Sequence, residues 1–269
     1  MGKMVSIITV VRNDYSGLQE TILSIKAQTF KDYEFIVIDG KSSDNTTDLL
    51  KQYKDIISIG ISETDNGIYD AMNKGLIVST GRWIVFLNAG DTFYDEASLS
   101  KLFIDYSETV KNSDAIFCSF YVESYWGDFE KKVYSEKNLW KGFCHQATYI
   151  RNDTYKKIGL YDTRYKSAAD FNLIYKILED PDFKKDSFSE IMATVSYNLN
   201  SFSAQHSILS RFEVVKTVLL ESKKLSHVFF RLPLVSGRLI VNIFSVLIAK
   251  LFPNFINFMR KIRDRGGKN

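Results

Sequence analysis

An α/β fold built on a mostly parallel sheet is predicted by three features of the sequence. Apolar, β-branched runs of strand length recur at residues 5–11, 33–38, 56–61 and 83–87. Their apolarity is continuous rather than alternating, as in strands buried on both faces. Segments with helical spacing separate them, so the order reads β-α-β-α-β-α-β. Each run also stops abruptly at polar residues, the fourth at Asn88-Ala89-Gly90-Asp91. Open parallel sheets bind ligands just beyond the carboxyl ends of their strands.

The elements follow in order. Strand 5–11 breaks at Arg12-Asn13-Asp14. In the next helix Ser16 and Gln19 have capping-box spacing, and Leu18, Ile22 and Ile25 share a face. Strand 33–38 ends at Asp39-Gly40-Lys41-Ser42-Ser43-Asp44, where Ser43 or Asp44 can cap a helix carrying Leu49, Leu50 and Tyr53. After strand 56–61 and the loop Glu63-Thr64-Asp65-Asn66-Gly67, Ile68, Met72 and Leu76 mark a helix ending near Gly81. Beyond strand 83–87, a helix over 96–110 turns Leu99, Leu102, Phe103 and Tyr106 inward. Strand 115–121 leads into a hairpin with arms at 120–125 and 129–134 and its tip at Trp126-Gly127-Asp128. Regular alternation ends there, so an antiparallel section extends the sheet. His145-Gln146 opens a short strand to Ile150, and a helix covers 167–178 with Phe171, Ile174 and Leu178 on one face. A last strand covers 191–199, and a helix covers 203–224 with Ile208, Phe212, Val215 and Leu219.

The remainder differs in character. Residues 227–259 are dense in Phe, Leu, Ile and Val, interrupted by Arg231, Arg238 and Lys250. The uncharged run 239–249 falls well short of the about 20 residues that cross a bilayer. Pro233 and Pro253 are expected to bound a helix between them. Eleven Lys/Arg and two Asp/Glu from Lys216 to Asn269 give this end +9, which leaves −6 for residues 1–215 of the net +3. An acidic body with a basic tail points one end of the chain at an anionic surface.

At 269 residues, 45% hydrophobic and 25% charged, the chain can form one large domain or one domain with an appendage. Two cysteines, Cys118 and Cys144, imply no disulfide framework and suit a reducing cytosol. The N-terminus lacks the charged and apolar regions of a signal peptide. Met-Gly-Lys-Met-Val-Ser fits the loose myristoylation pattern, but a start codon just before a needed strand accounts for it. No glycine-rich phosphate loop of either common pattern occurs.

Asp39, Asp65 and Asp91 each follow a strand, so a parallel sheet brings them to one edge. A carboxylate there can accept from a nucleobase ring N–H or from ribose hydroxyls, and another can ligate a hard divalent cation. A donor near Thr9 can meet the base. Each acid is also an ordinary turn or cap residue. Ser167-Ala168-Ala169-Asp170 has capping-box spacing, so Asp170 reads either as a cap or as a reactive carboxylate kept ionised by a helix N-terminus.

Several stretches carry a family resemblance. They are Ser6-Ile7-Ile8-Thr9-Val10-Val11-Arg12-Asn13, Val37-Ile38-Asp39-Gly40-Lys41-Ser42-Ser43-Asp44-Asn45-Thr46, and Asp65-Asn66-Gly67-Ile68-Tyr69-Asp70-Ala71-Met72-Asn73-Lys74-Gly75. Thr80-Gly81, Phe86-Leu87-Asn88-Ala89-Gly90-Asp91 and Ala169-Asp170 complete the set. In this order, over about residues 4–205, they resemble the inverting glycosyltransferase family 2, in its bacterial polysaccharide-biosynthesis branch. The resemblance implies a GT-A type fold, with a Rossmann-like, mostly parallel central sheet and an antiparallel extension. To this the chain adds a C-terminal amphipathic helical tail. It implies that Asp39 contacts the nucleobase with Thr9 alongside, and that Asp65, Asn73, Lys74 and Asn88 line the nucleotide-sugar site. The family's Asp-x-Asp stretch falls on Asn88-Ala89-Gly90-Asp91, which departs from it. Asn88 and Gly90 replace the usual acids, and Asp91 alone remains to ligate Mn²⁺ or Mg²⁺. Asp170 falls at the catalytic base, and His145 and Gln146 resemble a position near the acceptor.

The sequence thus reads as a catalytic domain over 1–224 and a basic, membrane-interface tail over 225–269. Such an enzyme would be cytoplasmic and peripheral on the inner face of the cell membrane. It would move a sugar, with inversion, from a nucleoside-diphosphate donor to a saccharide acceptor on a polyprenyl carrier, without a nucleic-acid partner and with room for a homodimer. One rival keeps the fold as an inactive nucleotide-sugar-binding protein, given the missing acids. Another is a nucleotidyltransferase, which would begin with a glycine- and arginine-rich loop absent after Val11.

Overall fold

The computed structural model describes residues 2–123, 129–133, 143–196 and 206–251. All seven residues of β1 (Val5–Val11) are buried, which requires a neighbour on both edges and cover on both faces. Strands β2 (Tyr33–Asp39) and β4 (Trp83–Phe86) flank it in parallel, with Val5 opposite both Tyr33 and Trp83. Strand β3 (Ile59–Ser62) extends the sheet beyond β2. Successive side chains point to opposite faces. Val5 and Ile7 therefore pack with Leu18, Ile22 and Ile25 of α1 (Tyr15–Ala27). Ile8 and Val10 pack on the other side with Met72 and Leu76 of α3 (Ile68–Val78). Each of the three α1 residues is fully buried, worth about 1.5–3 kcal/mol apiece.

Two of the expected element starts move, those of α1 and β3, and at the second helix Asp44 is the candidate that bonds the helix start. Helix α1 is capped by Asp14, whose carboxylate accepts from Gly17 N at 3.0 Å, rather than by Ser16. Helix α2 (Thr46–Gln52) follows Asp44, whose Oδ1 accepts from Thr46 N at 3.0 Å. Ile56 and Ile57 donate back to Tyr53 O, each at 2.9 Å. They close the end of α2, and β3 starts only at Ile59.

The antiparallel extension is present. Beyond β4 come β8 (Thr148–Arg151), β6 (Ala115–Glu123), β9 (Lys185–Val195) and the short β5 (Thr92–Phe93). Strand β8 is antiparallel to both its neighbours, while β6 and β9 run parallel. Strand β7 (Phe129–Lys132) pairs antiparallel with β6 as the expected hairpin arm; the tip at 126–128 lies outside the described residues. The last strand starts at Lys185, six residues before the expectation, and residues 197–199 of that expectation are likewise outside.

Three helical expectations are corrected. The helix expected over 96–110 divides into α4 (Ser98–Ser100), a π-helical turn at Lys101–Asp105 and α5 (Ser107–Asn112). Tyr106 N donates to Lys101 O at 3.3 Å, a wider closure than an α-turn. Helix α6 (Asn152–Ile158) is additional, and α7 (Ala169–Glu179) begins two residues late. Pro233 does not bound the tail helix. After α8 (Ser207–Glu221), α9 (Leu225–Leu251) runs straight through it.

The start of α9 is bound to the body. Glu179 of α7, its side chain 1% exposed, accepts from Lys223 N at 2.9 Å and pairs with His227 and Arg231. Arg231 also donates to Tyr175 OH at 2.8 Å, and Val235 is buried against α7. The boundary at 224 is therefore a turn between packed helices. Outward, Phe212, Leu220, Leu225, Phe229 and Ile240 stand exposed.

A tight joint closes the far edge of the sheet. The buried carboxylate of Glu34 accepts from Ser6 Oγ at 2.5 Å, Thr80 N at 2.6 Å and Gly81 N at 2.9 Å. Burial pushes this carboxyl up, but the bonds from Ser6, Thr80 and Gly81 outweigh it and leave the group below its ordinary range. A Cβ at Gly81 would sit 2.5 Å from Ser6 N and 2.8 Å from Val5 C, both backbone atoms. Gly81→Ala should cost about 1–3 kcal/mol by overpacking and lower the thermal midpoint by a few degrees. An unchanged calorimetric midpoint would show that the joint relaxes.

Candidate active site

Parallel pairing sets the carboxyl ends of β1, β2, β3 and β4 on one edge. The loops there are latched together. Asn13, in the left-handed region at φ 52°, accepts from Ser43 N at 2.8 Å and takes Ser42 Oγ on its own N–H at 2.7 Å. Asp39 is fully buried at the end of β2. It accepts from Ser42 N at 3.1 Å, from Ser42 Oγ, and from Ser62 Oγ at 2.5 Å. Hydroxyls can rotate to other acceptors, so this carboxylate is held without being sealed. Asp65 accepts from Gly67 N at 2.9 Å and lies against Gly40, where a Cβ would meet its Oδ2 at 2.4 Å.

Three of the expected nucleotide-site residues have structural partners. Thr9 Oγ1 donates to Leu87 O at 2.6 Å and ties β1 to the end of β4. Asn73 is buried, and its amide meets both the N–H and the C=O of Tyr161 at 2.9 Å. Lys74 donates to Thr64 O at 2.8 Å and pairs with Glu63 at 2.8 Å and Asp70 at 3.8 Å. The Glu63 contact holds its ammonium above the ordinary range.

The second half of the site forms around Asn88–Asp91. Gly90 adopts φ 89° in this turn, and Thr21 of α1 fastens it by donating to Asp91 O at 2.8 Å. Asp91 is 5% exposed; it accepts from Gln146 Nε2 at 2.8 Å and Ser196 N at 3.3 Å. Burial pushes its carboxyl up to about 6 against the lowering effect of these donors and of the nearby His145.

His145 and Gln146 are neighbours in one 3₁₀ turn (His145–Ala147), and each reaches a different carboxylate. His145 Nδ1 lies 3.1 Å from Asp170 Oδ2, and its Nε2 lies 3.0 Å from Asn88 Nδ2, both at hydrogen-bond distance. Tyr69 OH donates to Asp170 Oδ1 at 2.8 Å. Burial would raise the Asp170 carboxyl. The hydrogen bond and charge of His145, then Tyr69 and the Phe171 amide, outweigh it and leave the carboxyl below its ordinary range. Asp170 lies in the first turn of α7, and the N-cap position is Ala168. Its side chain is 22% exposed, within reach of a reactant.

A cleft of about 320 Å³ lies alongside, lined by Asn66, Tyr69, Asp70, Thr163, Tyr165, Lys166, His206 and Leu209. Tyr69 joins this cleft to Asp170. Nothing in the sequence around Tyr69 signals this contact, because its partner lies 101 residues away. Among the described residues no group of three His, Cys, Asp or Glu gathers to hold a metal. Asn88 Oδ1, however, is a buried oxygen with no partner. With the Asp91 carboxylate it gives the oxygen donors that a hard cation takes when substrate phosphates supply the remainder.

Comparison with known proteins follows the same lines. The profile of Glycosyl transferase family 2 matches residues 6–177. A PGL/p-HBAD biosynthesis glycosyltransferase of Mycobacterium bovis (strain BCG / Pasteur 1173P2) is 31% identical over 189 residues, covering 66% of this chain and 71% of the relative. Among solved structures, S. aureus TarS 1-349 in complex with UDP-GlcNAc superposes with a TM-score of 0.65 at 17% identity, over 84% of this chain and 69% of that one. The mannosyltransferase PcManGT from Pyrobaculum calidifontis, in complex with GDP-Man and Mn²⁺, gives 0.63 at 12% identity, over 100% and 89%. At these identities the structures establish the GT-A fold.

The raised Asp91 carboxyl has a consequence for stability. A folded-state value near 6 against an ordinary 3.8 favours the native state fully below the lower figure, and that advantage is lost as pH rises through the upper one. The loss is about 3 kcal/mol, from about 1.4 kcal/mol per pH unit. With metal chelated, Asp91→Asn should gain stability relative to wild type between about pH 4 and pH 7, read from urea midpoints. Parallel curves would mean that Asp91 is compensated in some other way.

Proposed function

Because the chain belongs to glycosyl transferase family 2, we propose that it moves a sugar from a nucleoside-diphosphate donor to a saccharide acceptor with inversion, using Asp170 as base. One observation carries this reading. A partly exposed carboxylate, its carboxyl held low by His145 and Tyr69, is joined through Tyr69 to a cleft. In the step, the acceptor hydroxyl oxygen attacks the anomeric carbon as the bond to the diphosphate oxygen breaks. The hydroxyl proton passes to Asp170, and the electron pair of the broken bond leaves as negative charge on the diphosphate. Tyr69 and His145 orient the carboxylate so that a free lone pair faces the acceptor. With its aromatic walls and its polar Asn66, Asp70 and Lys166, the cleft suits that acceptor's rings.

Asp39, with Thr9 beneath it, and Asp65 face the donor side, and Asn73 and Lys74 brace the loops around it. Asn88 and Asp91 would hold a Mn²⁺ or Mg²⁺ ion, which offsets charge on the leaving diphosphate. TarS 1-349 is seen in complex with UDP-GlcNAc and PcManGT in complex with GDP-Man. The class assigned to this chain is accordingly the nucleoside-diphosphate sugar. A thermal-shift screen of UDP-, GDP- and dTDP-sugars with Mn²⁺ identifies the donor, and its hydrolysis by water then reads turnover. Asp170→Asn should slow that turnover by about 10²–10⁴-fold while nucleoside-diphosphate binding persists. Turnover at the wild-type rate would reduce Asp170 to a structural residue.

Among the described residues no helix is long and apolar enough to cross a membrane. The exposed Phe212, Leu220, Leu225, Phe229 and Ile240, flanked by Lys and Arg, suit a surface lying in the interface of an anionic leaflet. Each such cation is worth about 1 kcal/mol there. A peripheral position at the inner membrane face would bring the enzyme to a polyprenyl-linked acceptor. Phe229→Glu combined with Ile240→Glu should abolish flotation with anionic liposomes and leave donor binding intact. Undiminished flotation of this variant removes these side chains from the contact. A wild-type dimer that the variant dissociates would assign the face to a second copy instead.

A further inference from the structure

Helix α8 lies beyond the matched residues 6–177, yet it reaches the loop that carries Asp170. Glu213 is 8% exposed on its inner face. Its Oε1 accepts from Lys166 N at 2.7 Å, and its Oε2 accepts from Ser167 N at 2.9 Å and Ala168 N at 2.8 Å. Three successive backbone N–H groups thus converge on one carboxylate, and Asp170 follows two residues later.

We propose that Glu213 is a positioning residue for the transfer, fixing from α8 the loop that sets the Asp170 carboxylate. The proposal rests on Asp170 being the base. A helix start leaves backbone donors without intrahelical partners. At α7 no local side chain supplies the cap; Ser167 Oγ is itself buried without a partner. Glu213 instead binds the N–H of Ala168, the N-cap position, and those of the two residues before it, with a charge that the helix dipole favours and with charge-assisted bonds. A carboxylate buried at this depth is costly unless its oxygens are satisfied, so carboxylate and loop fix each other.

The register of α8 is fixed at two further points. Thr217 and Glu221 follow at i+4 and i+8, and each accepts from Asn172 Nδ2 of α7 at 3.4 Å. Val214 and Val218 pack beside them. A shift of α8 would move Glu213, the loop and Asp170 together. Tyr165 and Lys166 of the same loop line the cleft, so one side chain aligns the carboxylate with the place where the acceptor binds.

A double-mutant cycle in the full-length protein tests this. Its readouts are hydrolysis of the donor found by the screen and calorimetric binding of the nucleoside diphosphate. Glu213→Gln keeps the shape and loses the charge. It should lower kcat by about 10²-fold, the effect of an ångström-scale misplacement, with donor KM changed less than about twofold. Glu213→Asp, which keeps the charge, should recover part of the loss; it also carries the comparison if the Gln variant does not fold. In the Asp170→Asn background Glu213→Gln should cost almost nothing further, because the group it positions is already gone. Wild-type kcat in Glu213→Gln overturns the proposal, as does an equal loss in both backgrounds or a loss of donor binding alongside turnover. Failure of the base reading shows separately, as full turnover by Asp170→Asn alone.

Discussion

The dry interior of β1 is the constraint on which the rest depends. A strand buried at every position must be paired on both edges, and its parallel neighbours then end on the same side of the sheet. Polar residues that interrupt apolar runs far apart in sequence are thereby gathered at one edge. The site follows from this without a glycine-rich phosphate loop. Asp39 is the last residue of β2, and Asp65, Asn88 and Asp91 lie within a few residues after β3 and β4 end.

Two carboxylates in this site are driven in opposite directions. Burial dominates at Asp91 and pushes its carboxyl up to about 6, whereas donors dominate at Asp170 and hold it down. Environments that separate the behaviour of paired acids are how one site assigns them different roles. An acid with a costly buried charge suits a cation as partner, and one already ionised suits receipt of a proton. The 3₁₀ turn couples the two, since His145 holds one and Gln146, the next residue, holds the other.

Much of this was legible in the sequence, to the extent that it depended on local pattern. The β-α alternation and the hydrophobic faces of α1 and α3 are written in residue spacing, and the strand-end acids sit where parallel pairing must collect them. What could not be read depended on contacts between distant segments. Tyr69 meets Asp170, and Asn73 closes on Tyr161, with nothing in either stretch to announce the other. The inward face of the last body helix is hidden from the sequence for a related reason. Ile208, Phe212, Val215 and Leu219 have helical spacing, yet Phe212 and Leu219 are about half exposed while Glu213 and Thr217 are buried. Hydrophobic periodicity finds an apolar stripe; it does not say whether that stripe meets the protein or something outside it.

That inversion bears on how the catalytic body relates to its C-terminal helices. Helix α7 carries Asp170 in its first turn and Glu179 in its last. Glu213 of α8 binds the loop entering it, and Lys223, His227 and Arg231 close on Glu179 at its exit. Both clamps are polar and buried, and polar contacts demand a particular register where apolar ones tolerate sliding. Val214, Val218 and Val235 still pack on the body, while Phe212, Leu219, Leu220, Leu225, Phe229 and Ile240 stand exposed. One pair of helices thus serves two surfaces, its polar inner stripes fixing the helix that carries Asp170 and its outer stripes offering Phe212, Leu225 and Phe229 to whatever adjoins the protein. Any contact that restrains α8 and α9 from outside also restrains the helix on which Asp170 is mounted.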